Sequence, residues 1–231
     1  MSRIARAVAV GFPHHITQRG NYKQDVFLND NDRIKYLEWI QWYCGKYTLE
    51  IMAFCLMINH VHFVTIPQSA DSLALVFKNA HMRYSQYFNK KNSASGHLWQ
   101  GRFYSCALDQ AHFFAALRYV ERNPVRANMV KNPWDWPWSS ASAHIGLPGC
   151  PILKTTDLFK LTGMNHLAWR SYIGSSEESK LIENIRKHSL TGLPLGSKSF
   201  IKNMEKNLGR ILQALPRGRP NRIPDQRSQD I

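Results

Sequence analysis

Leu56-Met57-Ile58-Asn59-His60-Val61-His62-Phe63-Val64-Thr65-Ile66-Pro67 is a run of apolar and β-branched residues interrupted by two histidines and closed by a proline. Side chains on a β-strand alternate faces with a period of two, so His60 and His62 share one face while Val61 and Phe63 enter the opposite layer. Two imidazoles on one face make half a metal site. The same pattern also arises where one ring is satisfied in the core and the other is wet. Leu49 to Leu56 reads as a buried strand and Asn59 marks the turn, so the two runs form a hairpin.

Working outward, residues 12–18 lie between Gly11 and Gly20 and read as a first strand, with a turn at Arg19-Gly20-Asn21. From Asp30 to Tyr47, Ile34, Leu37, Ile40 and Tyr43 recur at helical spacing, with Asp30 or Asp32 as the expected cap and Gly45 near the stop. Asp71-Ser72 opens a second helix through Leu73, Val76, Phe77, Ala80 and Tyr84, and a polar loop over 89–97 follows. Residues 101–108 read as a fourth strand. Asp109 then caps a helix over 110–123, whose Phe113, Ala116, Leu117 and Val120 form a core stripe and which Pro124 closes. The order is β-α-β-β-α-β followed within the last unit by a further helix. This predicts an α+β fold: a ferredoxin-like or RRM-like antiparallel sheet with helices on one face. The other face is then expected to be open to a strand of nucleic acid.

The chain has 231 residues, of which 44% are hydrophobic, enough for one well-buried domain with appendages. No apolar run approaches the ~20 residues that cross a bilayer, and Arg3 and Arg6 precede no signal-peptide core, so the expected place is the cytoplasm. Cys44, Cys55, Cys106 and Cys150 form no Cys-x-x-Cys pair, which argues against a zinc ribbon or a disulfide framework. The net charge of +14 points to a polyanion, nucleic acid first. Residues 180–231 hold eleven Lys/Arg against four acids, half of that excess.

Further motifs narrow this. Gly96-His97-Leu98-Trp99-Gln100-Gly101-Arg102-Phe103 precedes Leu117-Arg118-Tyr119-Val120-Glu121-Arg122-Asn123-Pro124-Val125-Arg126-Ala127, and Trp136-Pro137-Trp138-Ser139-Ser140 follows. With His60 and His62 ahead of a helical Tyr119, the chain resembles the HUH single-tyrosine (IS200-like) transposases. It is most similar to the REP-associated tyrosine transposases of bacteria, over roughly residues 12–145. The resemblance implies a metal-dependent endonuclease and strand transferase for single-stranded or hairpin DNA, with repetitive extragenic palindromes as substrate. Tyr119 would be the nucleophile, leaving a 5′-phosphotyrosine and a free 3′-OH. His60, His62 and Asn123 would hold Mg²⁺ or Mn²⁺. Such ions prefer oxygen ligands, so a pair of histidines needs an oxygen partner. Asn123 lies one helical turn beyond Tyr119, whereas Glu121 points elsewhere; a helix C-terminal cap is the other reading of Asn123.

Arg19, Arg102, Arg118, Arg122 and Arg126 flank the expected site as candidate phosphate contacts. Pro216-Arg217-Gly218-Arg219-Pro220 reads as an AT-hook-like core, with Arg217 and Arg219 lying along the minor groove of A/T-rich duplex. The expected organisation is a catalytic domain over 1–130, a Trp/Pro-rich wrap-around extension over 131–178, a small helical unit over 179–215 and a disordered basic tail over 216–231. The helical unit reads either as a DNA-binding module or as a packing hairpin. Trp134, Trp136 and Trp138 either stack on bases or pad the domain. A monomer associated with the bacterial nucleoid is expected. The alternative is a non-enzymatic, RRM-like nucleic-acid-binding protein in which His60 and His62 merely contact the ligand.

Overall fold

The computed structural model describes residues 6–176 and 178–212. Strands β1 (His14–Arg19), β2 (Leu49–Leu56), β3 (His60–Pro67) and β4 (Tyr104–Ala107) form one antiparallel sheet in the order β2-β3-β1-β4. This is the order of a ferredoxin-like α+β fold, and the hairpin around Asn59 joins β2 to β3 as its sequence predicts. Along β1 and β3 the partners are Arg19 and His60, Thr17 and His62, and His15 and Val64. His15, Arg19, His60 and His62 therefore rise from one face of two adjacent strands.

Helix α1 (Asp30–Lys46) starts at Asn29, not at Asp30 or Asp32 as the sequence predicted. The Asn29 side chain accepts from the backbone of Asp32, and Asp32 accepts in return from the backbone of Asn29, so the aspartate completes a box instead of opening the helix. Helix α2 (Ser72–Lys91) packs beside α1. Helix α3 (Gln110–Glu121) is capped by Asp109, which accepts from His112 N at 3.0 Å. It ends two residues earlier than its pattern predicts. Arg122 breaks the regular turn, and a short α4 (Asn123–Arg126) takes Pro124 into its first turn, where no backbone donor is needed.

Beyond these lie α5 (Ala141–His144), α6 (Leu158–Thr162), α7 (His166–Gly174), α8 (Ser179–Thr191) and α9 (Lys198–Leu208). The segments before and between these helices close the sheet's open edges. Leu56 N donates to Trp138 O and Ser140 N to Phe54 O, so the Trp/Pro segment runs along the outside of β2. On the opposite edge, Leu195 N donates to Ala107 O and Asp109 N to Leu195 O. An exposed edge is a template for unwanted pairing, and both ends of this sheet are covered.

Ile16, Phe54, Val61 and Phe63 enter a core with Tyr36, Leu37, Phe77 and Tyr84 of α1 and α2. On the other face, Cys55, Val64 and Cys106 meet Phe113, Leu117, Val120, Trp169 and Ile185. That second face is thus covered by α3 and by the C-terminal helices, which corrects the expectation of an open nucleic-acid platform. The reason is the apolar side chains that β2, β3 and β4 present there, too many to leave in water. Trp134 and Trp136 pack against this second core, Trp138 against the first, and Trp136 Nε1 donates to Leu56 O. No helix among the described residues is long and apolar enough to cross a membrane.

Candidate active site

The histidine-bearing face of β3 meets α3 at Tyr119. The buried phenol ring stands edge-on to two imidazoles, with centroids 5.5 Å from His15 and 5.6 Å from His62. His15 and His62 stack 5.2 Å apart, with His15 Nε2 3.0 Å from His62 Nδ1. His60 stands perpendicular to His62 at 5.0 Å. Strand pairing explains this. His15 is the diagonal neighbour of His62 across the β1–β3 ladder, so the two rings reach each other without strain.

Each of the remaining contacts orients a ring. His60 Nδ1 donates to Asn59 Oδ1 at 2.7 Å, and Asn59 is turned by its own Nδ2, which donates to Lys23 O at 3.1 Å. Arg126 lies over the Tyr119 ring, 4.2 Å from its centroid, and its Nη2 donates to the Tyr119 carbonyl. A guanidinium held on an aromatic face fixes the ring as well as placing positive charge beside it. Asn123 Nδ2 donates to Tyr119 O at 3.0 Å and Val120 O at 3.2 Å. Asn123 is therefore a cap. The carbonyls that it caps can only accept, so the nitrogen faces them and Oδ1 is turned away from the helix.

Burial, reinforced by Arg19, lowers the pKa of His60 to about 4. Burial lowers His15 to about 3, with Arg126 adding to it. His62 falls well below its ordinary value, through burial first and then His60, His15, Arg126 and Arg19. The three rings are neutral at pH 7 and keep lone pairs. Among the described residues no three His, Cys, Asp or Glu side chains converge on one point. A cation here would take two imidazole nitrogens and the Asn123 oxygen, with water or phosphate oxygens completing the shell. That donor set fits Mg²⁺ or Mn²⁺. Nδ1 is engaged in both His60 and His62, which leaves Nε2 of each for a ligand.

The structure brings only some of the predicted arginines to this cluster. Arg126 covers Tyr119, and the exposed Arg19 is paired with His60 across the ladder. Arg102 is exposed on the loop whose Gln100 N donates to Arg19 O at 2.9 Å. Arg118 and Arg122 turn instead to the end of α7. Arg118 Nη2 donates to Ser175 O at 2.6 Å and its guanidinium lies over Tyr172, while Arg122 Nη1 donates to Ile173 O at 2.5 Å. The carbonyl end of a helix attracts cations, and these two secure α3 to it. Arg217 and Arg219, with the AT-hook-like core, lie outside the described residues.

Two further groups bear on the site without having been legible as such. His15 is one, although alternation from Arg19 back to His15 was available as a signal. The other is Glu121, which is fully buried. Its Oε1 accepts from Ser140 Oγ at 2.6 Å and His144 Nδ1 at 2.5 Å, and its Oε2 from Trp169 Nε1 at 2.9 Å. Residues two apart on a helix point about 200° apart, so Glu121 ties the far side of α3 to α5 and α7 while Tyr119 faces the histidines.

Residues 10–123 match the family described as Transposase IS200 like. The chain is 27% identical over 143 residues to a protein of Haemophilus influenzae described as a REP-associated tyrosine transposase, covering 54% of this chain and 81% of that one. It is 27% identical over 108 residues to the REP-associated tyrosine transposase of Escherichia coli K12, covering 45% of this chain and 61% of that one. Among solved structures, a REP-associated tyrosine transposase bound to a REP hairpin superposes with a TM-score of 0.50 at 23% identity, covering 68% of this chain and 93% of that one. That likeness is one of fold. The matched segment holds the whole sheet together with His15, His60, His62, Tyr119 and Asn123, and this segment, residues 10–123, is an IS200-like transposase domain.

Proposed function

We propose that this transposase cuts and rejoins single-stranded or hairpin DNA of the repetitive extragenic palindromic type, with Tyr119 as nucleophile and His60, His62 and Asn123 as the cation's protein ligands. The observation that carries the reading is the placement of one buried phenol edge-on to a neutral histidine cluster that offers free Nε2 lone pairs. Tyr119 Oη attacks the scissile phosphorus and the bond to the 3′ oxygen breaks. The 5′ end is left on the tyrosine and a 3′-OH is released. Joining runs the same exchange with a second 3′-OH, and the ester bond is conserved, so no external energy source is required. Bound Mg²⁺ or Mn²⁺ would supply Lewis-acid neutralisation of the phosphate. Arg126 positions the phenol from its ring face, and Arg19 and Arg102 offer phosphate contacts on the approach.

The RRM-like alternative needs an open sheet face for its ligand, and here α3 and α8 occupy that face. The test is a denaturing gel of end-labelled hairpin DNA incubated with protein and Mn²⁺. Tyr119→Phe removes one oxygen and keeps the ring, so it should bind the hairpin normally yet give neither nick nor covalent adduct. Cutting at a normal rate by Tyr119→Phe would make water the nucleophile and overturn the transposase chemistry.

A further inference from the structure

Helix α8 has no part in the chemistry above, yet it places one buried hydroxyl against the histidine cluster. Ser189 and Ile185 are the residues that α8 buries. Ser189 Oγ lies 2.7 Å from the carbonyl of Ile185 and 2.6 Å from His15 Nδ1. A carbonyl only accepts, so the Ser189 hydrogen is committed to Ile185 and the hydroxyl meets His15 with a lone pair. The His15 ring proton then sits on Nδ1, and His15 Nε2 offers its lone pair to His62 Nδ1 at 3.0 Å. That contact forms only if His62 carries its own proton on Nδ1. Its Nε2 is left bare.

His60 reaches the same state by a local route, through the side-chain oxygen of its neighbour Asn59. No carboxylate or carbonyl oxygen contacts a ring nitrogen of His62 among the described residues, so its tautomer depends on the chain of Ile185, Ser189 and His15. We propose that Ser189 and His15 are positioning residues that hold His62 with Nε2 free to ligate, which makes α8 of the C-terminal extension a determinant of the site's affinity for a divalent cation. This rests on the metal-site reading of His60 and His62. Without the Ser189 hydroxyl, His15 Nδ1 loses its acceptor and the proton is free to move to Nε2. It would then donate to His62 Nδ1 and drive the His62 proton onto the ligating nitrogen.

The experiment uses the full chain, labelled with ¹⁵N-histidine and free of divalent ions, and reads ring N–H correlations by NMR. In the unsubstituted protein His62 should be protonated on Nδ1 and bare on Nε2. Ser189→Ala should shift His62 toward the Nε2–H form and weaken Mn²⁺ binding, measured by calorimetric titration, by about 10-fold or more. Ser189→Thr keeps the hydroxyl and should retain both properties. An Nε2–H form of His62 in the unsubstituted protein would overturn the proposal. So would a folded Ser189→Ala variant with unchanged ring signals and unchanged Mn²⁺ affinity. If the tautomer is as stated but the unsubstituted protein takes up no Mn²⁺, the relay stands and the metal-site reading falls.

Discussion

Tyr119 and Glu121 are two residues apart on α3, and each faces a buried histidine, but the two surroundings have opposite chemistry. Around Glu121, a carboxyl group gathers a hydroxyl, an imidazole and an indole N–H, and the loose end among the described residues is Nε2 of His144. Around Tyr119, three imidazoles meet one another, an amide and a hydroxyl, and among the described residues no carboxyl group contacts them. A carboxyl group amid donors closes on itself and becomes an anchor. Neutral imidazoles without one retain spare lone pairs and call for a cation from outside. The lesson is that a buried histidine is read by what faces its second nitrogen.

If this contrast is right, substitutions on the two sides of α3 separate activity from stability. His60→Ala and His62→Ala should reduce nicking of a hairpin by about 10⁴-fold or more, some 5 kcal/mol in barrier, at any Mn²⁺ concentration. Their unfolding midpoints should move less than that of Glu121→Gln. Retained cleavage in either histidine variant would break the comparison on its active side.

Glu121→Gln sets an amide donor against groups that also donate. The expected loss is about 3 kcal/mol or more, a fall in Tm of about 6–12 °C for a chain of this size, while cleavage persists below the new midpoint. A calorimetric scan that finds no change would show that Glu121 is not an anchor.

Acid sharpens the contrast further. Burial lowers His14 to about 4 and His81 to about 3, well under the 6.5 of an exposed imidazole. The unfolded chain therefore binds more protons between these values, so stability is full above pH 6.5 and is lost as pH falls toward about 4 for His14 and about 3 for His81. Each such ring should forfeit about 2 kcal/mol at pH 5. Urea midpoints measured at pH 7 and pH 5 check this, and equal midpoints would refute it.

The smallest effect is expected at Asn123, where a lost amide oxygen is replaceable by water. Asn123→Ala should raise the Mn²⁺ needed for half-maximal cleavage about 10-fold and lower stability by about 1 kcal/mol through the lost cap. An unaltered metal requirement with the stability loss alone would leave Asn123 as a cap and nothing more.

Much of this was legible in the residues. Period-two alternation of Val61 and Phe63 against His60, His62 and Val64, and period 3.6 in Leu117, Val120 and Phe113, are local patterns that a chain must satisfy to bury its apolar groups. They determined the strands, the helices, their order and the pairing of Tyr119 with the two histidines through the family resemblance. The AT-hook-like reading of Arg217 and Arg219 falls outside the described residues.

What the residues alone did not determine is every contact that depends on the relative setting of distant segments. That His15 sits diagonally from His62 follows from strand register, and that Ser189 meets His15 across 174 positions follows from where α8 docks. Arg118 and Arg122 looked like phosphate contacts because both are basic and near Tyr119, but helical geometry turns them toward α7. The second sheet face looked open because α3 covers only part of it and the rest of its cover comes from residues beyond 130, whose pattern is broken by proline and glycine. Local periodicity reports which side of an element is apolar. Only the closed tertiary structure decides which apolar sides meet, and with them which nitrogens and oxygens are brought within hydrogen-bonding reach.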